Sequence, residues 1–147
     1  MATTRRAEVT WTGDLAKGSG IVTAASSNLF KDAPVSWAAR TESSNGKTSP
    51  EELLAAAHAS CFAMGLSHGL GQAGKPPTKL QVSAVVTFGP KPEGGFAVTE
   101  SALEVIGTVA GLDQAGFQKA AEGAKDGCPI SQALKNNVKI SVKATLA

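Results

Sequence analysis

Between residues 48 and 72 the sequence spells out a helix start, a long apolar run and a stop. Thr48-Ser49-Pro50-Glu51-Glu52 supplies a serine cap, a proline at the first helical position and two carboxylates in the first turn. The proline amide has no partner to lose there, and the helix dipole favours negative charge. Gly74, with Pro76 and Pro77 behind it, predicts an end near Gln72. Small and apolar residues surround the whole circumference of this helix, whereas a helix lying on one core needs only a single apolar stripe. Something must pack on more than one side of it. Its dominantly apolar part, residues 53–66, is interrupted by His58 and Ser60 and falls short of the ~20 residues that cross a bilayer. A buried helix is predicted, with no membrane partner.

Strands flank it. Ala7, Val9 and Trp11 alternate with Glu8 and Thr10, as a half-buried strand requires. A second strand is expected over residues 20–25 and a third over 35–41, with Val35, Trp37 and Ala39 on one face and Ser36, Ala38 and Arg40 on the other. Downstream, Leu80, Val82, Ala84, Val86 and Phe88 alternate with polar residues, and a turn rich in glycine and proline leads into a strand over residues 96–109. These two predict a hairpin. The apolar parity of the second changes near Glu100 and Ser101, which predicts a bulge. Residues 113–125 read as a helix stopped by Gly127, residues 128–136 as a short one, and residues 138–146 as the cleanest alternating strand. The order βββαββααβ is an α+β pattern, in one domain spanning residues 1–147, with no internal repeat.

Composition excludes several classes. Fourteen Lys and Arg against twelve Asp and Glu leave +2, too little for a phosphate-binding surface, and seven aromatic residues give no base-stacking platform. Nucleic acid is therefore not an expected partner. Residues 1–14 contain no apolar leader run, which reads as a cytoplasmic protein. In a reducing compartment two cysteines matter as thiols rather than as a structural disulfide.

Those cysteines differ in setting. Cys61 lies mid-helix, one turn from His58 and Met64, where a cysteine is ordinarily an inert small hydrophobe. Cys128 sits between Gly127 and Pro129 at a predicted helix start, where unpaired amides and the dipole favour thiolate. Arg40 reads as an exposed strand residue, and Glu51 has a sufficient explanation as a first-turn carboxylate. Gly65-Leu66-Ser67-His68-Gly69 fits G-x-S-x-G but lies inside the helix, without the strand a nucleophile elbow needs. His58, Cys61, His68 and Cys128 lack the paired close spacing of zinc ligands. No metal and no cofactor are expected.

The run Ser49-Pro50-Glu51-Glu52-Leu53-Leu54-Ala55-Ala56-Ala57-His58-Ala59-Ser60-Cys61-Phe62-Ala63-Met64, with Gly127-Cys128-Pro129-Ile130-Ser131-Gln132-Ala133-Leu134 downstream, resembles the OsmC/Ohr family of thiol peroxidases. An arginine at position 40, on the expected third strand, is similar to the OsmC branch. The resemblance implies an intertwined homodimer, with strands around two long central helices. It also implies reduction of organic hydroperoxides in oxidative and osmotic stress. The peroxidatic cysteine maps to Cys61, the resolving cysteine to Cys128, and the paired arginine and glutamate to Arg40 and Glu51. A cation beside sulfur favours thiolate, and a carboxylate fixes a guanidinium bidentately.

Helix arithmetic adds one inference. Glu51 and Cys61 are ten residues apart, about 15 Å along the axis and roughly 80° apart around it, too far for one Arg40 to bridge. A composite site follows, with the cysteines from one subunit and Arg40 with Glu51 from its partner. Leu54, Phe62, Met64 and Trp37 are expected to line it and to favour bulky organic peroxides. A dithiol must reset the disulfide, and family precedent favours protein-bound lipoyl groups over glutathione. The rival readings are a non-catalytic small-molecule binding protein and a thiol redox sensor on the same fold. His58 is set aside as a satisfied core or interface histidine.

Overall fold

The structure is a computed structural model describing residues Met1–Ala147. It divides into two compact units, Met1–Leu53 and Leu54–Ala147.

In the first unit, β1 (Glu8–Thr12), β2 (Ser19–Thr23) and β3 (Ala33–Val35) form an antiparallel sheet in sequence order. Gly20 is required where β2 passes Trp11: a Cβ there would stand 2.8 Å from the indole ring. The third strand is shorter than expected. It ends at Val35, and α1 (Trp37–Thr41) follows, so Arg40 lies on a helix and not on a strand. The reason is local. Ser36 is an N-cap whose hydroxyl accepts from the Ala39 amide, and Ala-Ala-Arg behind it are strong helix formers. The order is therefore βββααββααβ. The strand expected to be half-buried, β1, is exposed along its whole length.

α2 (Pro50–Gln72) starts and stops as the sequence predicts. Ser49 caps it by accepting from the Glu52 amide, and Gly74 leaves it with φ +70°. Its 23 residues make it long and apolar enough to cross a membrane by length and composition, more than residues 53–66 alone suggest. It is not the wholly buried helix expected. One stripe, His58, Phe62, Leu66 and Leu70, is buried, while Ala57, Met64, Gly65, His68 and Gly69 are exposed.

In the second unit, β4 (Lys79–Pro90), β5 (Phe96–Thr108) and β6 (Lys139–Leu146) form a sheet in that order. β4 and β5 are the expected hairpin, while β6 runs parallel to β5. The register shifts at Thr87 and Phe88, which face Glu100 and Val98 and leave Thr99 as the extra residue. This bulge sits one residue from the expected place and carries Ser101, Leu103 and Val105 to the buried face. α3 (Gln114–Gly127) and α4 (Pro129–Leu134) complete the unit. Gln114 and Gln118, one turn apart on α3, bond the free edge of β6. They accept from the Leu146 and Ala144 amides and donate to the Ala144 and Val142 carbonyls. Side-chain amides thus take the place of a neighbouring strand.

Phe62, Leu66 and Leu70 pack with Leu103 and Val105 of β5, Val142 and Ala144 of β6, and Phe117 of α3. Phe117 is fully buried because β5 offers it a glycine, since a Cβ on Gly107 would lie 2.3 Å from its ring. Gly107→Ala is accordingly expected to destabilise the protein by about 1–3 kcal/mol through overpacking. Urea unfolding measures it, and an unchanged midpoint would show that the Phe117 ring can move aside.

Candidate thiol site

Cys61 lies on α2, one turn after His58, and Cys128 is the residue that joins α3 to α4. Both are free thiols, Cys61 half-buried and Cys128 buried. The structure brings them together: Cys128 and the Ile130 backbone amide both lie near enough to the Cys61 thiol to shift its titration. Burial pushes the Cys61 thiol above its ordinary value, the Ile130 amide opposes this, and the neighbouring Cys128 adds to it. Each influence has a plain cause. A thiolate loses hydration on burial and gains from an N–H donor, and a second thiol competes for the charge.

His58, set aside in the sequence, is part of this arrangement. Its ring is wholly buried. One ring nitrogen, Nδ1, is 2.7 Å from the Ser101 hydroxyl on β5, and Nε2 is 2.8 Å from the Ser131 hydroxyl on α4. Burial lowers its pKa below 6.5, so the ring is neutral, one nitrogen donating and the other accepting. The sequence carried a faint sign of this. His58 precedes Cys61 by three residues and Ser131 follows Cys128 by three, each one helical turn.

Arg40 and Glu51 also meet, within the first unit. Arg40 Nη2 donates to Glu51 Oε1 at 2.7 Å and its Nε donates to both carboxylate oxygens at 3.1 Å. Its guanidinium carbon lies 5.9 Å from the centre of the Trp37 ring. Carboxylate and indole together fix the plane of the cation. Beside it is an apolar recess of about 430 Å³ lined by Val9, Trp11, Val35, Trp37, Pro50 and Leu53. Of the other residues expected to line a pocket, Phe62 is sealed in the core and Met64 is exposed.

This mixed α+β fold of two sheets is that of the OsmC/Ohr structures. The sequence profile of the family described as OsmC-like protein matches residues 43–143, and the chain belongs to that family. Peroxiredoxin OsmC of Escherichia coli (strain K12) is 40% identical over 134 residues, 91% of this chain and 92% of that protein. The organic hydroperoxide resistance protein of Xanthomonas axonopodis pv. citri (strain 306) is 31% identical over 121 residues, 81% of this chain and 82% of that protein. The crystal structure of the organic hydroperoxide resistance protein OhrB of Bacillus subtilis is similar with a TM-score of 0.73. It is 26% identical and covers 95% of this chain and 98% of that one.

Neutral burial of His58 has a consequence for stability. The unfolded chain takes up this proton near pH 6.5 and the folded chain only at lower pH. Stability is therefore fully present above the unfolded value and falls as pH drops through 6.5 towards the folded value. The expected slope is up to about 1.4 kcal/mol per pH unit in that window. Urea unfolding between pH 7.5 and 5 should show it in the wild type and show less of it in His58→Gln; equal slopes would mean that folding does not change the affinity of His58 for its proton.

Proposed function

We propose that this chain is a cysteine-based peroxidase that reduces organic hydroperoxides to alcohols, with Cys61 as the attacking sulfur and Cys128 as the resolving one. The observation that carries this reading is the proximity of two free thiols, near enough for Cys128 to act on the Cys61 thiol, with the Ile130 backbone amide acting on it as well. The names of the relatives support it. Cys61 thiolate attacks the terminal peroxide oxygen. An S–O bond forms, the O–O bond breaks, and the leaving alkoxide takes a proton to become the alcohol. The Cys61 sulfenic acid then condenses with the Cys128 thiol, giving the disulfide and water. An external dithiol, with protein-bound lipoyl groups the favoured class, returns both thiols by exchange. No metal or organic cofactor takes part in this scheme. Recycling by a dithiol fits a reducing compartment, the cytoplasm, and we read residues 1–147 as one OsmC-like domain.

Thiolate formation at Cys61 needs help, because burial and Cys128 both oppose it and neither is offset by a cation. Arg40 is the cation we assign to this task, oriented by Glu51. Glu51 and Cys61 stand ten residues apart on one helix, about 15 Å along its axis. The reading is therefore a homodimer with composite sites, each taking Cys61 and Cys128 from one subunit and Arg40 with Glu51 from the other. The exposed face of α2 and the apolar recess beside Arg40 support it. That recess would also favour bulky organic peroxides.

Titrating the reduced protein with cumene hydroperoxide tests the chemistry. Wild type should lose both thiols and about 2 Da of mass, and Cys128→Ser should trap a Cys61 sulfenic or overoxidised acid. Thiols indifferent to stoichiometric peroxide would instead favour a small-molecule binding protein on this fold, and oxidation without dithiol turnover a redox sensor. Co-expression tests the composite site. Arg40→Ala and Cys61→Ser subunits, each inactive alone, should together recover roughly a quarter of wild-type activity, since half the dimers are mixed and each holds one intact site. A mixture as inactive as its parts would place each site within one chain.

A further inference from the structure

We infer that His58 is a positioning residue for the resolving step, holding the first turn of α4, and with it Cys128 and the Ile130 amide, against Cys61 through its hydrogen bond to Ser131. The inference rests on the peroxidase reading above and deepens it.

The geometry is that of two rungs. On α2, His58 and Cys61 are three residues apart, and on the turn that opens α4, Cys128 and Ser131 are three apart, so each pair shares a face. At one rung Cys128 lies near enough to act on the Cys61 thiol, and at the other His58 Nε2 is hydrogen-bonded to Ser131 Oγ at 2.8 Å. Beyond this rung, α4 is held by Cys128 and Ile130 at the apolar core and by Gln132 Nε2, which donates to the Asp126 carbonyl. It is six residues long, and its N-cap, Cys128, makes no side-chain capping bond. The imidazole does not ride freely on its helix either, because Nδ1 is tied to Ser101 on β5 at 2.7 Å. Ser101 and Ser131 are themselves buried. Three polar side chains are thus enclosed where apolar ones would fill the space without needing partners. What they add is a fixed register between the cysteine-bearing helix and the cysteine-bearing turn.

That register matters at one step. When the Cys61 sulfenic acid condenses with Cys128, the S–S bond forms and the S–O bond breaks. The Cys128 sulfur is oxidised, the Cys61 sulfur is reduced, and the Cys128 proton leaves with the hydroxyl as water. The competing fate is attack by a second hydroperoxide, which yields Cys61 sulfinic acid and alcohol. The outcome is decided by how well Cys128 is seated, and a small misplacement of a reacting group can cost orders of magnitude.

The test treats reduced wild type, Ser131→Ala, Ser131→Thr and His58→Phe with excess cumene hydroperoxide. It reads alcohol, Cys61–Cys128 disulfide and Cys61 sulfinic acid by chromatography and intact mass. The ratio of disulfide to sulfinic acid is expected to fall roughly tenfold or more in Ser131→Ala and His58→Phe, and to recover in Ser131→Thr, which keeps the hydroxyl. A ratio unchanged in folded Ser131→Ala, or no recovery in Ser131→Thr, overturns the positioning role. Should His58→Phe fail to fold, the two Ser131 variants decide alone. Absence of alcohol and of thiol loss in the wild type would instead overturn the peroxidase reading itself.

Discussion

On the proposed peroxidase reading, the chemistry depends on the approach of the middle of α2 to the first turn of α4, and most of the second unit is arranged to hold its α2 side still. Phe62, Leu66 and Leu70 follow His58 at intervals of four and lock one stripe of α2 onto β5, β6 and Phe117. Gly107 admits the Phe117 ring, and Gln114 and Gln118 tie α3 to the edge of β6. A short, weakly capped α4 contributes little stability of its own. Its place comes from what its first turn touches.

Cys61 shows why such a contact is insufficient by itself. On the proposed reading the nucleophile would be the Cys61 thiolate, yet burial and a neighbouring thiol raise the pKa of Cys61, and the Ile130 amide only partly offsets them. The first unit holds the complementary element. Arg40 is locked by a bidentate carboxylate and a tryptophan face at the lip of an apolar recess. A cation already held in orientation loses less freedom on approaching a thiolate than a mobile one does. On the composite-site reading, subunit pairing and thiol activation become the same event. The exposed side of α2, which the sequence marks as too apolar for one core, then has its reason.

The fold was legible where local rules act alone. Ser49, Pro50, Gly74 and Asp113 marked helix ends, and alternation marked the β4–β5 hairpin and β6. It failed at residues 35–41, where a period-two pattern coexisted with a serine cap and Ala-Ala-Arg, and the cap prevailed. Exposure of β1 and of most of α2 was also beyond local pattern, since alternation predicts which side is apolar and not what covers it. The proximity of Cys61 and Cys128 depends on the β4–β5 hairpin and α3 folding between them. No spacing rule gives it, and the same holds for the two serines that meet His58.

A hydrogen-bonded rung beside a reactive pair has a property that an apolar contact lacks. On the proposed cycle, going from two free thiols to an S–S bond of about 2.05 Å draws the sulfurs together, and the turn bearing Cys128 must follow. A close-packed apolar neighbour would resist that shift through overlap on one side and a void on the other. The His58–Ser131 bond can lengthen by a few tenths of an ångström and remain a bond. Because Ser101 holds the ring from the sheet, the proposed disulfide state would draw on the His58–Ser131 bond rather than on the core. On the proposed cycle the same turn would return when the disulfide is reduced.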